Sequence, residues 1–215
     1  MSSIELFQNK TDCCGCSACY NVCPRKAISM QEDEYGYVYP VIDQDKCVGC
    51  GLCRKVCHYQ ADKELRTPIK AYAAAGKKEE FLKKAASGGM FSLVADKILE
   101  EGGVVFGAAM EYHNNTLIPK HIAVESKEEL FKLQGSKYVQ SFIGNTYAEA
   151  KKYLADGRKV LFSGTPCQIE GLKGYLGREY ENLYTIDIIC HGVPNAKWFQ
   201  DYIKVFETKL QGSIY

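Results

Sequence analysis

The sequence lacks an excess of charge of either sign. Its 27 lysines and arginines almost balance its 26 aspartates and glutamates, which leaves a formal net charge of +1 over 215 residues. A large basic surplus would point to nucleic acid or to an anionic membrane surface, because both attract cationic proteins. The composition therefore does not indicate binding to nucleic acid or to an anionic membrane surface.

Long apolar runs are lacking as well. A helix needs about 20 consecutive apolar residues to cross a bilayer, and the longest apolar stretches, such as Gly103–Met110, are far shorter. The first ten residues contain no basic region followed by an apolar one, so they do not resemble an export signal. We therefore predict no membrane insertion.

Cysteine, by contrast, is concentrated in one stretch. Nine of the eleven cysteines lie between Cys13 and Cys57. Eight of them form two runs with two, two and three intervening residues, which is the spacing of bacterial ferredoxins. The repeated spacing predicts two 4Fe-4S clusters. The runs are Cys13, Cys16, Cys19 and Cys23, and then Cys47, Cys50, Cys53 and Cys57.

The spacing also predicts which cysteines share a cluster. In two-cluster ferredoxins the fourth cysteine of each run binds the cluster of the other run. Such crossed ligation joins two halves whose apolar core is too small to stabilise a fold alone. We therefore assign a first cysteine group (Cys13, Cys16, Cys19 and Cys57) and a second cysteine group (Cys23, Cys47, Cys50 and Cys53).

Two features fall outside this pattern, and two other uses of the cysteines fit it poorly. Cys14 has no place in the spacing and is expected to be a spare thiol, while His58 stands where a second proline would match Pro24. Zinc sites usually pair two C-x2-C knuckles across a longer spacer. Disulfides would imply a secreted chain. Thiolate-bound iron instead predicts a reducing cytoplasm, in a microbe that lives with little oxygen.

The remaining chain predicts a second domain. The charged stretch before Pro68 suggests a boundary between an α+β ferredoxin-like domain at 1–62 and an α/β domain at 63–215. Strands and helices alternate in the second domain from a predicted strand at Ile69–Ala75 to a predicted helix at Ala196–Leu210. This alternation favours a mixed, largely parallel sheet. The final residues look like a turn entering a strand, so we expect the chain to be part of a longer protein.

Four turns of the second domain are rich in small residues, and two of them lie between a strand and the following helix, where parallel sheets bind ligands. Ser87-Gly88-Gly89 opens a helix whose free N–H groups suit a phosphate, and Lys137 adds a positive charge. Each turn alone is typical of an ordinary helix start. The other three turns are Gln134–Tyr138, Ser163–Gln168 and Cys190–Pro194.

In chain order, the cysteine runs and the segments A-S-G-G-M-F-S, Q-G-S-K-Y-V-Q-S, S-G-T-P-C-Q-I-E-G-L and D-I-I-C-H-G-V-P resemble the coenzyme F420 hydrogenase/dehydrogenase beta subunit family. The resemblance implies an iron–sulfur flavoprotein oxidoreductase that binds FAD in its second domain. It implies electron transfer between a ferredoxin or partner subunit, the clusters, FAD and a small two-electron substrate such as coenzyme F420. The FAD-binding residues expected from these turns are Ser87, Gly88, Gly89, Gly135, Ser136, Lys137, Tyr138, Gly164, Thr165, Pro166, Cys167 and Gln168.

Several alternatives remain open at this point. Cys167 and Cys190 are either inert thiols or, as the resemblance suggests, neighbours of the flavin that bind a further cluster. His191 is either a proton donor or, as we favour, a cap at a strand end, and no catalytic acid or base can be named. The chain as a whole has two other possible functions: an electron-carrier subunit without its own substrate site, or a binding module that senses redox state.

Overall fold

The computed structural model describes residues 4–60, 67–77, 79–113 and 116–212. Its first part is a small iron–sulfur segment built on a two-stranded antiparallel sheet of β1 (Ile28–Glu32) and β2 (Val38–Ile42). Two short helices, α1 (Ala18–Val22) and α2 (Leu52–Lys55), each follow the second cysteine of a run. This is the expected ferredoxin-like arrangement.

The second part is built on a four-stranded sheet in the order β4-β3-β5-β6. β3 pairs antiparallel with β4 and parallel with β5, and β5 pairs parallel with β6. The predicted mixed, largely parallel sheet is therefore confirmed. The strands are β3 (Val104–His113), β4 (Thr116–Val124), β5 (Val160–Gly164) and β6 (Leu183–Asp187), and the helices are α3 (Glu79–Lys83), α4 (Met90–Glu100), α5 (Thr146–Ala155), α6 (Pro166–Leu176) and α7 (Ala196–Leu210).

Helices cover both faces of this sheet. The central strands β3 and β5 contain continuous apolar runs, as expected of strands that are buried on both sides. Val105 and Leu161 pack in the cluster with α4, whereas Phe106 and Phe162 pack with α5 and α6 on the opposite face. The rings of Phe106 and Phe162 stack with their centroids 5.3 Å apart. The alternation of side chains along each strand thus fixes which helix lies on which face.

The iron–sulfur segment packs against α6 through two glycines, Gly171 and Gly174, that lie about one helical turn apart. A Cβ atom added at Gly174 would lie 2.4 Å from the carbonyl oxygen of Val56, and one added at Gly171 would lie 3.1 Å from Cys16 Sγ. Ala18 and Val56 join the core cluster of the second part. The absence of side chains at these two positions therefore lets the cysteine loops approach the helix closely.

One local prediction was wrong, and others lie outside the described residues. The predicted strand at Ile69–Ala75 does not form, because this stretch pairs with no strand among the described residues and Ile69 is 97% exposed. The helix predicted at Ala196–Leu210 is confirmed. The proposed boundary at 62/63 and the final turn fall in residues that the structure does not describe.

None of the helices in the described ranges is long and apolar enough to cross a membrane.

Candidate iron-sulfur centres and sheet edge

All four residues of the second cysteine group line one cavity. Cys47, Cys50 and Cys53 come from the second run, whereas Cys23 caps α1 at its C-terminal end. Apolar side chains, among them Ile28 and Leu52, complete the wall. Four cysteine thiolates around an apolar space are the ligand set of a 4Fe-4S cluster, so these residues fit such a cluster.

The first cysteine group lines a separate cavity. Three of its members come from the first run and the fourth, Cys57, from the second, so this donor set also fits a 4Fe-4S cluster. Cys14, His58 and Tyr59 lie in the same wall. The structure therefore brings the cysteines together in the two crossed groups.

The two runs share one backbone conformation. The residue before the second cysteine of each run, Gly15 or Gly49, has positive φ, and so does the residue after it, Ser17 or Gly51. These left-handed residues turn the chain so that successive thiols face one cavity, and glycine adopts that conformation without strain. Ser17 adopts it at a cost, and its hydroxyl donates a hydrogen bond of 3.4 Å to the carbonyl of Gly15.

The two cysteine groups differ in their surroundings. Cys50 of the second group is exposed at the surface. The first group instead lies against α6 and the loop before α5, where Gln140 Nε2 donates to the Cys14 carbonyl at 3.1 Å and Asn21 Nδ2 donates to that of Gly144 at 2.9 Å. One group therefore faces solvent and the other faces the α/β part.

Burial shifts the acidity of the thiols in the first group. It raises the pKa of Cys13 to about 11 and raises the pKa of Cys19 further above its ordinary value. Because iron binds the thiolate, cluster assembly must displace protons from these cysteines. Cluster binding is accordingly favoured by rising pH.

Cys14 is not the isolated thiol that its position in the sequence suggested. Its thiol interacts with those of Cys16 and of Cys167 at the start of α6, which lowers the pKa of both partners and raises the pKa of Cys14 itself. His58 Nε2 lies 3.8 Å from Cys14 Sγ, and the buried His58 Nδ1 has no hydrogen-bond partner. The Cys14, Cys16 and His58 donor atoms lie within 4.8 Å of one another. The doublet Cys13-Cys14 was the only sequence signal for this arrangement.

The predicted flavin turns gather near Gly107 of β3. A Cβ atom added there would meet Ser163 Oγ at 2.9 Å and Leu133 Cδ1 at 3.5 Å. Gln134 Nε2 in turn donates to Ser92 Oγ at 3.0 Å, which joins the turn at 134–138 to the first turn of α4. Ser163 of one turn and Leu133, next to another, therefore meet at this edge of the sheet, and the latter turn also contacts α4, which begins after Gly89.

At this edge of the sheet, two of the predicted FAD-binding residues already make close contacts within the protein. A Cβ atom at Gly88 would lie 2.4 Å from the carbonyl oxygen of Ala74. Lys137 Nζ donates to the carbonyls of Gln134 at 2.7 Å and Lys132 at 3.1 Å, and burial lowers the pKa of Lys137 to about 8. Gly88 is therefore closely packed against the backbone of Ala74, and the ammonium group of Lys137 is held by backbone carbonyls.

The remaining predicted residues divide into two kinds. At α6, Thr165 caps the helix, Pro166 occupies its first turn, and Gln168 Oε1 accepts from the Thr165 N–H at 3.0 Å and lies close to Gly164. These residues form the N-terminal cap and first turn of α6, whereas the thiol of Cys167 interacts with that of Cys14. Other positions are open to solvent: Gly135 has φ 77° with no atom within 4 Å of an added Cβ, and Ser87, Ser136 and the 81% exposed Tyr138 are exposed as well. Gly89 is instead buried, and a Cβ atom added there would lie 3.3 Å from the carbonyl oxygen of Phe81.

His121 is a buried polar residue that sequence reasoning missed. Its Nε2 donates to the carbonyl of Ser163 at 2.9 Å, its Nδ1 accepts from Ser141 Oγ at 2.8 Å, and its ring stacks on Phe162. Burial lowers the pKa of His121 to about 4, so the ring is neutral at pH 7. A single histidine in a strand gives no signal for such a network.

The other singled-out residues lie after β6. Cys190 is exposed, and its Sγ accepts from the Gly192 N–H at 3.4 Å. His191 is exposed beside it. Neither lines the cavities of the two cysteine groups.

Comparison with known families agrees with the geometry. Residues 12–61 match the 4Fe-4S dicluster domain. Residues 71–145 match the N-terminal part of the coenzyme F420 hydrogenase/dehydrogenase beta subunit, and residues 157–214 match its C-terminal part, which together exceed half of the chain. The chain belongs to the coenzyme F420 hydrogenase/dehydrogenase beta subunit family. The predicted membership is confirmed, and with it the iron–sulfur, electron-transfer character of the chain.

Individual relatives are distant. A coenzyme F420-dependent sulfite reductase of Methanocaldococcus jannaschii is 24% identical over 191 residues, which cover 85% of this chain and 28% of that protein. An uncharacterised ferredoxin of the same organism is 33% identical over 55 residues, covering 26% of this chain and 70% of the ferredoxin. A solved F420-reducing nickel–iron hydrogenase complex of Methanosarcina barkeri is 22% identical, covering 66% of this chain and 52% of that one, with a TM-score of 0.49. The chain thus spans less than a third of the sulfite reductase.

Proposed function

We propose that the chain is the electron-transfer part of an oxidoreductase, in which two 4Fe-4S clusters carry single electrons between a protein partner and the α/β domain. One observation supports this most directly: each crossed cysteine group lines its own cavity. The first cysteine group holds one cluster in this proposal, and the second cysteine group holds the other. The chain itself supplies the ligands, the spacing and the surroundings of the clusters.

The order in which electrons pass through the two clusters follows from the solvent exposure of the two cysteine groups. Cys50 of the second group is exposed, which suits exchange with a partner at the surface. The first group is covered by α6, where Cys16 Sγ lies close to Gly171. Electrons accordingly pass from the partner to the second group's cluster, then to the first group's cluster and on to the α/β domain, or in the reverse direction.

Beyond the first cluster, the proposal includes FAD at the sheet edge. This step depends on the family resemblance and on the convergence of the turns near Gly107. Because Gly88 and Lys137 are engaged by backbone groups, the open turn at Gly135 and Ser136 is the better candidate for contact with the cofactor. Bound FAD would supply exchange between single electrons and electron pairs. A small two-electron substrate, with coenzyme F420 as one candidate, would then react at this edge.

The engaged state of Gly88 and Lys137 also favours a second candidate function. In that case the chain is an electron-carrier subunit without FAD or a substrate site, and its α/β domain docks another subunit. The clusters and their ligands are the same in both cases. The two functions differ in whether the purified protein contains flavin.

Anaerobic purification followed by iron, sulfide and flavin analysis tests the proposal. We expect about eight iron and eight sulfide atoms per chain, the content of two 4Fe-4S clusters, together with bound flavin. Full iron without flavin would favour the carrier subunit. Iron without acid-labile sulfide would overturn both, because it would exclude iron–sulfur clusters.

A further inference from the structure

The surface around the second cysteine group contains unpaired positive charge. Arg25 and Lys26 follow Cys23, while Arg54 and Lys55 follow Cys53, and all four side chains are exposed. Arg25 also lines the cavity of the group. Within the described part of the chain, none of the four takes part in an ion pair, whereas the nearby Lys46 is paired with Asp43 at 2.6 Å.

This local excess contrasts with the whole chain, whose formal net charge is only +1. Acidic groups near the second cysteine group are fewer. Asp43 is neutralised by Lys46, so the exposed Asp45 and Glu5 are the remaining carboxylates close in sequence to the group's lining residues. Exposed cations therefore outnumber exposed carboxylates along the segments that carry the second cysteine group.

An apolar patch accompanies these charges. Val48 and Leu52 line the same cavity and are 56% and 38% exposed, and Val41 beside them is also exposed. Exposed apolar side chains rimmed by polar residues mark protein contact sites. A cationic rim around an apolar centre suits a protein partner of opposite charge, because complementary charge speeds the encounter and fixes its orientation.

We propose that this surface docks an acidic protein that carries one electron. The inference rests on the proposed function, since it requires a cluster held by the second cysteine group. In the docked complex one electron leaves the carrier, which is oxidised, and enters that cluster, which is reduced, and no bond is made or broken. The four cations hold the carrier with its redox group next to Cys50.

A charge-reversal experiment on the whole protein tests this docking surface. The variant is Arg54→Glu/Lys55→Glu, and the matched control is Lys152→Glu/Lys209→Glu, which makes the same change of charge on exposed residues of α5 and α7. The probe is a strongly acidic reduced two-cluster ferredoxin, and dithionite serves as a reductant that needs no docking. The readout is the second-order rate of cluster bleaching at low and high salt.

We expect the docking variant to lose roughly tenfold in rate with ferredoxin at low salt, a loss that shrinks as salt screens the charges. The control variant should keep the wild-type rate, and dithionite should reduce all three proteins alike. Equal ferredoxin rates for the two variants would overturn the docking surface. This holds even if the docking variant bound less well to anionic phosphatidylglycerol vesicles, because the surface would then face a membrane and not a protein. Failure of dithionite to bleach any cluster would overturn the proposed function instead, so the two failures are distinguishable.

Discussion

Cys14 of the iron–sulfur segment and Cys167 at the start of α6 interact through their thiols, although they lie far apart in the sequence. The contact joins the wall of the first cluster cavity to the helix that follows β5. It shows that the loop of the first cysteine run is in contact with the α/β domain rather than tethered beside it.

The ligand assignment predicts which cysteines are needed for iron. Cys23→Ser and Cys57→Ser should each remove a different cluster and about half of the iron, whereas Cys14→Ser should leave the iron content unchanged. Iron and sulfide assays with electron spin resonance would separate the two clusters. If Cys14→Ser lost a cluster while Cys57→Ser did not, Cys14 would be the ligand of the first group.

The glycine contact predicts a sensitive position on α6. Gly174→Ala would place a methyl group 2.4 Å from the Val56 carbonyl oxygen, and overpacking of this kind costs about 1–3 kcal/mol. Thermal unfolding of the holoprotein should therefore begin earlier, and protease should cut between the two parts sooner. Lys173→Ala, an exposed change on the same helix, is the control. A Gly174→Ala protein as stable as this control would argue against close packing here.

His121 predicts a loss of stability in mild acid. Its pKa is about 4 in the fold against an ordinary value of 6.5, so the unfolded chain binds the proton more readily between these values. The stability is complete above pH 6.5 and falls as pH decreases towards 4, by about 1 kcal/mol between pH 7.5 and 5.5. His121→Gln should be less stable at pH 7.5 but should flatten this part of the curve. Identical pH slopes in both proteins would show that the ring does not contribute.

The flavin proposal predicts that a negative charge at the open turn prevents cofactor binding. Ser136→Glu adds such a charge on an exposed side chain beside Gly135, and it should weaken FAD binding because the cofactor's phosphates are anionic. Ser29→Glu, on an exposed position of β1, is the control. Fluorescence titration with FAD measures both. Unchanged affinity in Ser136→Glu would exclude this turn as the phosphate contact.

Local spacing accounts for most of what the sequence predicted correctly. Three cysteines of each group lie a few residues apart and can reach one cavity whatever the rest of the chain does. The fourth comes from the other run and was predicted from the crossed ligation of two-cluster ferredoxins. The run Val160–Phe162 likewise identifies a strand buried on both faces.

Contacts that depend on tertiary packing could not be predicted in this way. Ile69–Ala75 has the composition of a strand, but no neighbouring strand is available to it. The neutral state of His121 arises from its complete burial, and the Cys14–Cys167 contact depends on how α6 packs. The packing of Gly88 involves residues that are not close to it in sequence. Lys137 binds backbone carbonyls of nearby residues, which the sequence does not identify as partners.

In the proposed function, electrons enter at the second cysteine group and reach the α/β domain through the first. Rapid freeze-quench spin resonance during reduction by ferredoxin tests it most directly, in the wild type and in Cys50→Ala, which removes an exposed ligand of the second group. We predict that reduction of the first group's cluster will be at least about tenfold slower in Cys50→Ala, because its route of entry is lost. Equal rates in the two proteins would contradict the claim.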